Sequence, residues 1–286
     1  MDILWLDHPQ CQEVRQVGGK VANLSRLAAK HRVPPGFCLT TQAFTQWPTA
    51  GTDRTIPPVM IDQITAAYAD LAARSQIDAP RVAVRSSAVD EDGQGASFAG
   101  QFETYLNIVG APAVVEAVQH CWASAHNPRV QAYRAQQGQA DTPVQLAVLV
   151  QQLVVADWAA VVFSANPLTG SRNEIVINAS WGLGESIVGG TVTPDTVVLR
   201  KTDFRVIDRT IADKRRMTIL ATTGAQEVAV PRPMRNQPAV TDAQAREMAD
   251  LARTLEATMG WPVDVECAYA NEALYLLQCR PITTLP

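Results

Sequence analysis

Near its C-terminus the chain carries the stretch Trp261-Pro-Val-Asp-Val-Glu-Cys-Ala-Tyr-Ala-Asn-Glu-Ala-Leu-Tyr-Leu-Leu-Gln-Cys-Arg-Pro281. Two apolar-rich runs flank Asn271 and Glu272, a pattern typical of a β-hairpin. Side chains alternate between the two faces of a strand, so the first run places two carboxylates on one face, and the second places an amide and a guanidinium on one face. These polar residues are Asp264, Glu266, Gln278 and Arg280.

The length of the turn decides whether these side chains meet. A two-residue turn would pair Glu266 with Leu277 and separate the polar set. A three-residue loop, Asn271-Glu272-Ala273, would pair Glu266 with Gln278 and set the other carboxylate opposite the guanidinium. We expect the three-residue loop, because it gathers oxygen ligands and a cation on one face, a combination that suits Mg²⁺ together with phosphate. The alternative is a surface hairpin with an exposed carboxylate–guanidinium pair, and this stretch alone leaves both open.

Composition bounds the class of protein. With 286 residues, 47% of them hydrophobic, the chain can form one large domain or two lobes around a buried core. No apolar run is long enough to cross a bilayer, and Met1 to Asp7 do not resemble a basic leader, so we expect a cytoplasmic protein without a membrane partner. A formal net charge of −4 gives no general attraction to nucleic acid. Any polyanion must therefore be held by a local set of lysines and arginines.

The cysteines point to neither a disulfide framework nor a zinc site. There are five of them, an odd number without paired spacing. Cys267 and Cys279 alternate with the polar positions of the hairpin. We therefore expect both to be buried as small hydrophobic side chains.

A turn leading into a helix occurs near the N-terminus, at Val17-Gly-Gly-Lys-Val-Ala-Asn-Leu-Ser-Arg-Leu-Ala-Ala-Lys30. Backbone N–H groups at a helix N-terminus favour anions, and Lys20 is placed where its ammonium could reach a phosphate. The alternative is a glycine turn with a solvated lysine. By itself the stretch favours this alternative, because it lacks the full glycine spacing of the familiar nucleotide loops.

A glycine-rich loop between two β-like runs follows in Val82 to Ile108. The first run ends at Arg85, and glycines let backbone N–H groups approach oxyanions that a Cβ would obstruct. A surface hairpin is the alternative, and it would suit the acidic residues Asp90 to Asp92. The glycines and side-chain donors of the loop are Gly93, Gly95, Gly100, Ser97 and Gln101.

The β-branched run Val144 to Val155 predicts a buried strand, interrupted by Gln151 and Gln152. A buried amide needs a hydrogen-bond partner, which a purine edge or a neighbouring backbone group could supply. Thr241 to Met259 predicts a helix with Asp242 near its N-cap. Residues 222–240, which contain three prolines, are expected to be the least structured interior connection.

Together the lysine, the arginines, the loop and the hairpin describe a triphosphate site. Six motifs spread from residue 17 to residue 282 resemble the ATP-binding domain of the phosphoenolpyruvate synthase and rifampin phosphotransferase family, relatives of pyruvate phosphate dikinase. The motifs are Gly-Gly-Lys-x-x-Asn-Leu, Val-Pro-Pro-Gly-Phe, Val-Arg-Ser-Ser-Ala, Ala-Ser-Phe-Ala-Gly-Gln, Asn-Ala-Ser-Trp-Gly-Leu-Gly-Glu and Gln-Cys-Arg-Pro.

The resemblance implies an α+β ATP-grasp fold whose two lobes, residues 1–143 and 144–286, close on Mg·ATP. The second lobe would hold the adenine strand and the metal-binding hairpin. The chain departs from the family in two places, because residues 45–76 are short and Asp157 to Val161 lacks a Ser-Gly that usually precedes this strand. The rim of the cleft would differ accordingly.

The resemblance also implies roles for single residues. Catalytic roles at the phosphates fall to Lys20, Arg85 and Arg280, and metal binding falls to Glu266 and Gln278. Lys214, in the basic cluster Asp213-Lys-Arg-Arg216, is a weaker match. The remaining ATP-binding positions are the phosphate loop with Gly95, Ser97, Gly100 and Gln101, and the adenine strand with Gln151 and Leu153.

In these relatives ATP is cleaved to AMP and inorganic phosphate, and the β-phosphoryl group is carried on a histidine. The histidines of this chain do not lie in a small-residue, glycine-rich setting suited to that role; they are His8, His31, His120 and His126. We therefore expect a phosphohistidine domain or an acceptor protein supplied separately. The alternatives are a stand-alone kinase or ligase that activates a small molecule directly, and a non-catalytic ATP-binding regulatory module.

Overall fold

The computed structural model describes residues 1–47, 55–90, 103–128, 130–131, 144–283 and 285. It divides into two compact units, the first comprising residues 1–30 and 34–153, and the second residues 31–33 and 154–286. The division falls after Leu153, later than the predicted boundary near residue 143. The reason is that the strand Leu146–Gln152 pairs with two strands of the first unit and with none of the second.

The first unit is built on a five-stranded antiparallel sheet in the order β1-β2-β5-β3-β4. Its strands are β1 (Ile3–Trp5), β2 (Gly36–Leu39), β3 (Val82–Ala88), β4 (Thr104–Ile108) and β5 (Leu146–Gln152). Its helices are α1 (Val14–Ala28), α2 (Thr41–Thr45), α3 (Pro58–Ser75) and α4 (Ala111–Ser124).

The two faces of this sheet have different neighbours. One face packs Val82, Val84 and Ala88 into a core with α3 and α4, where the rings of Trp47 and Trp122 are buried. The other face is contacted by α1, which packs against β3 and β5. Because side chains alternate along β3, Arg85 and Ser87 point to the α1 side.

The second unit is built on a six-stranded antiparallel sheet in the order β13-β12-β6-β7-β8-β9 and a separate two-stranded hairpin, β10-β11. The strands are β6 (Trp158–Phe163), β7 (Glu174–Trp181), β8 (Asp195–Arg200), β9 (Val206–Thr210), β10 (Arg216–Leu220), β11 (Ala225–Ala229), β12 (Val263–Ala270) and β13 (Ala273–Pro281). The helices are α5 (Glu185–Val188) and α6 (Asp242–Met259). Strand β11 lies within residues 222–240, the segment expected to be the least structured interior connection, so part of that segment forms regular structure.

Helix α6 begins and ends where its sequence predicts. Thr241 is the N-cap: its hydroxyl accepts a hydrogen bond from the Gln244 backbone N–H, and the Gln244 side chain accepts one from the Thr241 N–H. Asp242 is therefore the first helical residue. Gly260 ends the helix with φ of 79°, a conformation that glycine adopts without strain. The helix packs its buried face against β12, β6, β7 and β8.

Both units combine sheets with helices, which confirms the α+β class expected from the sequence. Among the described residues, no helix is long and apolar enough to cross a membrane.

Candidate nucleotide site

The β12–β13 hairpin brings the four predicted polar residues together, but by a different route from the one expected. Ala270 pairs with Ala273, so the turn contains two residues, Asn271 and Glu272, with φ of 50° and 59°. The expected three-residue loop was therefore wrong. A register shift between Glu266 and Cys267 inserts one extra residue into β13 and restores the predicted pairing.

The extra residue is Leu277. Cys267 lies opposite Leu276, and Glu266 lies opposite Gln278, so Leu277 has no partner on β12. The bulge falls on β13, the edge strand of the sheet, because β12 is held in continuous register by β6 on its other side. Next to the bulge, the N–H of Leu276 donates a hydrogen bond to the backbone oxygen of Arg32 at 2.9 Å.

Asp264 and Arg280 form the second cross-strand pair. The Arg280 Nε donates a hydrogen bond to Asp264 Oδ2 at 2.9 Å, and the two side chains are only 20% and 9% exposed, respectively. The alternative of an exposed ion pair was therefore wrong. No described residue gives the buried Asp264 Oδ1 a hydrogen bond. Burial raises the pKa of the Asp264 carboxyl, Arg280 opposes this effect, and the nearby Glu266 carboxylate adds to it.

This face of the hairpin fits a hard cation. Glu266 is half-buried and Gln278 is buried, and their opposed side chains place a carboxylate and an amide on the same face as the unsatisfied Asp264 Oδ1. Magnesium prefers oxygen ligands and usually retains sites for water and substrate phosphate. Within the described ranges there is no cluster of three or more His, Cys, Asp or Glu that would form a closed metal cage. The hairpin can therefore supply part of a magnesium shell, with phosphate and water completing it.

The opposite face of the hairpin is apolar. Cys267 and Cys279 are buried there, as the alternation predicts, and burial raises the pKa of the Cys267 thiol well above its ordinary value. All five cysteines are free and buried.

In the first unit, the predicted turn before Lys20 is present within α1. Gly18 has φ of 75° and ψ of 168°, which interrupts the helix, and a Cβ at this position would lie 2.4 Å from the Ser87 backbone oxygen. After the interruption, the Val21 N–H donates to Ser87 Oγ at 3.4 Å. Close packing of Gly18 on Ser87 thus places Lys20 in the first turn of the resumed helix, beside β3.

Arg85 lies on the same side of β3 as Ser87 and therefore on the side that α1 contacts. It is half-buried, and no described residue accepts a hydrogen bond from its buried Nε. A buried guanidinium N–H without an acceptor is costly, so an anion at this position would be stabilised. The structure brings Lys20 and Arg85 to one face of the first unit's sheet.

Gln151 lies on this face as well, since Arg85 pairs with Leu149, and Gln151 follows two residues later on β5. Its side-chain Nε2 donates to the Pro34 backbone oxygen at 3.1 Å, so a neighbouring backbone group satisfies this donor. Leu153 follows the strand, and its N–H donates to the Arg81 oxygen at 2.8 Å. Gly95, Ser97, Gly100 and Gln101, predicted to line a phosphate loop, lie outside the described residues.

Lys214, the weaker match, is not placed to bind a phosphate in solvent. Its side chain is fully buried, and Nζ donates to Asp195 Oδ1 at 2.5 Å and to the Ala212 oxygen at 3.2 Å. Asp195 also accepts hydrogen bonds from the Ala212 and Ala239 N–H groups. This pair was not predicted, because the sequence shows only an acidic residue after a proline and a lysine in a short basic cluster, and neither reports the other.

A second glycine-rich segment, Trp181 to Gly190, contains a glycine that allows close backbone packing. Gly182 has φ of 76°, and a Cβ there would lie 2.3 Å from the Thr218 oxygen, which accepts a hydrogen bond from the Leu183 N–H at 2.8 Å. The glycine therefore lets the end of β7 lie against β10.

Comparison with known proteins places the chain in a family. Residues 51–286 match the family described as the pyruvate phosphate dikinase, AMP/ATP-binding domain. The chain is 35% identical over 358 residues to a probable phosphoenolpyruvate synthase of Pyrococcus abyssi, which covers 99% of this chain and 44% of that protein. It is 37% identical over 316 residues to a rifampicin phosphotransferase of Streptomyces sviceus, which covers 100% of this chain and 36% of that protein.

A third relative is the prodigiosin synthesizing transferase of Serratia marcescens, 39% identical over 296 residues, covering 95% of this chain and 32% of that protein. The chain thus spans less than half the length of these curated relatives. The match covers most of the chain and includes β3, β12 and β13, which confirms the resemblance seen in the sequence. The chain belongs to the pyruvate phosphate dikinase AMP/ATP-binding domain family.

Proposed function

We propose that this chain is a Mg·ATP-dependent phosphotransferase domain of the dikinase type, with an ATP-grasp fold, which cleaves ATP and passes a phosphoryl group to a histidine on a separate domain or partner protein. The observation that carries the proposal is the direct opposition of Glu266 and Gln278, beside the partly buried Asp264–Arg280 pair. Two oxygen ligands and a guanidinium on one face of a rigid hairpin suit a metal-bound phosphate.

The charges of the site support phosphate binding. Arg280, held by Asp264 through Nε, places a positive charge on the same face of the hairpin as Glu266 and Gln278. Magnesium, when bound, neutralises the negative charge that phosphoryl transfer must move. Lys20 and Arg85, on one face of the first unit, are further cations that we assign to phosphate binding. A hydrogen bond from Arg85 Nε to phosphate would satisfy a donor for which no described residue provides an acceptor.

The acceptor is assigned to a separate domain or partner because three of the four histidines of this chain have other settings. His8 caps a short turn by accepting a hydrogen bond from the Gln10 N–H at 3.2 Å, and His120 packs against the ring of Tyr105. His126 packs against Trp47. The relatives also carry three different names for what they act on or make, which supports a shared ATP-cleaving domain joined to different acceptors.

The test follows the label from ATP. ATP labelled at the β- or γ-phosphate is incubated with the chain alone, then with the phosphohistidine domain of a phosphoenolpyruvate synthase relative. The chain alone should release label slowly, and the added domain should raise turnover by orders of magnitude, with AMP as product and β-label on its histidine. Glu266→Ala is the inactive control. Rapid turnover by the chain alone with label on one of its own histidines, or ADP as the product, would overturn the proposal.

A further inference from the structure

One row of side chains crosses the second unit's sheet and connects the metal-binding pair to a further polar pair. Glu266 lies opposite Gln278 on one side and Val161 on the other, and Val161 lies opposite Asn178 on β7. Residues directly opposite each other project from the same face of a sheet. Asn178 therefore projects from the face that carries Glu266 and Gln278, two strands away.

Thr196 fixes the orientation of the Asn178 amide. These residues are opposed on β7 and β8, and the Thr196 hydroxyl donates a hydrogen bond to Asn178 Oδ1 at 3.0 Å. With the oxygen engaged, the two N–H groups of Nδ2 are directed away from Thr196. In the part of the chain that the structure describes, no residue accepts a hydrogen bond from this Nδ2.

The neighbouring row of this face is closed. There Ser180, Ala159 and Ala268 are buried, and a Cβ on Gly184, just before α5, would meet the Ala159 Cβ at 3.4 Å. By contrast, Asn178, Thr196 and Glu266 are only half-buried, while Val161 and Gln278 in the same row are buried. Asn178 is thus partly accessible from the side on which Glu266 is also partly accessible.

The separation suits a phosphate group. Neighbouring strands are about 4.8 Å apart, so the backbones of Asn178 and Glu266 are about 10 Å apart. Val161 between them offers no hydrogen bond. That distance accommodates the two side chains and one phosphate group between them, with a magnesium–oxygen contact of about 2.1 Å and a hydrogen bond of about 2.9 Å.

From this row we infer that Asn178 is a further ATP-binding residue, whose Nδ2 donates a hydrogen bond to an oxygen of a phosphate that also binds the metal at Glu266 and Gln278. Thr196 is the positioning residue that turns the Nδ2 donor toward the ligand. The inference rests on the proposed function, because it assigns an additional contact to the same Mg·ATP.

The experiment compares dissociation constants of the parent and Asn178→Ala for three probes: Mg·ATP, Mg·tripolyphosphate and adenosine. Loss of a hydrogen bond to a charged phosphate should weaken Mg·ATP and Mg·tripolyphosphate about tenfold or more. Adenosine lacks phosphate, so its affinity should be unchanged. Thr196→Val, which keeps Asn178 but releases its oxygen, should weaken the two phosphate ligands by a smaller factor.

Thr210 provides a matched control, since it lies opposite Thr196 one strand farther out on the same row. Thr210→Val should leave all three affinities unchanged. If the parent binds Mg·ATP and Asn178→Ala binds it equally well, the inference is wrong while the proposed function stands. Equal weakening of all three probes in Asn178→Ala would also contradict it, because a fold defect does not select phosphate. A parent that binds no Mg·ATP overturns the proposed function and this inference together.

Discussion

Glu266 lies directly opposite Gln278, although the two-residue turn of their hairpin would by itself set Glu266 opposite Leu277. The bulge at Leu277 changes the register by one residue between the turn and the polar pairs. A one-residue change moves every following side chain to the other face of a strand. Without the bulge, Gln278 and Arg280 would face the apolar side, where Cys267 and Cys279 now lie. The face of the hairpin that we propose to bind a metal therefore depends on one extra residue in an edge strand.

The buried carboxyl beside this pair should make folding stability depend on pH. The folded state raises the pKa of Asp264 above its ordinary value of 3.8, so it holds the proton more tightly than the unfolded chain does. The contribution of Asp264 to stability is therefore fully present below pH 3.8 and is lost as pH rises through the raised folded pKa.

Asp264→Asn removes this titration. We expect the free energy of unfolding of the variant, minus that of the parent, to increase as pH rises above 3.8 and to become constant once the parent carboxyl is ionised. Urea unfolding at a series of pH values measures it. Asp62→Asn, at an exposed position on α3, controls for the substitution itself. A difference that stays constant or falls with pH would contradict the assignment.

The Asp195–Lys214 pair should be a major contributor to stability in the second unit. Lys214→Met leaves a buried carboxylate without its cation, and breaking a buried ion pair in this way costs about 3–5 kcal/mol. Chemical denaturation measures the loss. Arg215→Met is the matched control, because it removes the neighbouring exposed pair with Asp213. The control should unfold near the parent midpoint, and a Lys214 variant that did the same would refute the prediction.

Gly18 should be intolerant of a side chain. Its φ and ψ belong to a region that is almost exclusive to glycine, and a Cβ would overlap Ser87, so Gly18→Ala should destabilise the protein by about 3 kcal/mol or more. Because Lys20 follows in the next turn, affinity for Mg·ATP should fall as well. Thermal unfolding and a nucleotide titration test both effects.

Gly190→Ala separates the cost of a positive φ from the cost of steric overlap with a neighbour. Gly190 also has positive φ, 66°, but a Cβ there would have no atom within 4 Å. That variant should cost about 1 kcal/mol and leave nucleotide affinity unchanged. Equal losses in the two variants would mean that the contact between Gly18 and Ser87 is unimportant.

Local sequence patterns predicted much of the fold. The bounds of helix α6, the glycine turn before Lys20 and the alternation that buries Cys267 and Cys279 depend on neighbours a few residues away, so they can be recognised in the sequence. The pairing of Glu266 with Gln278 was also predicted, but through a loop length that the structure does not have.

The rest depends on contacts between distant parts of the chain. The bulge at Leu277 falls on β13 because β6 holds β12 in register from its other side, and no pattern within the hairpin reports this contact. The order of the strands must be known before one can see that Lys214 is buried beside Asp195, or that Asn178 lies in the same row as Glu266. The membership of β5 in the first unit follows from its pairing with β2 and β3 rather than from its own apolar sequence.

The central claim is that the polar face of the β12–β13 hairpin holds Mg·ATP, and thermal unfolding with and without millimolar Mg·ATP tests it most directly. A ligand that binds only the folded state stabilises it by about 2.7 kcal/mol at a hundred times its dissociation constant, which raises the melting temperature. We expect this rise in the parent and in Arg215→Met, and its near loss in Glu266→Ala. A parent protein whose melting temperature did not change with Mg·ATP, or a Glu266→Ala variant that kept the full rise, would contradict the claim.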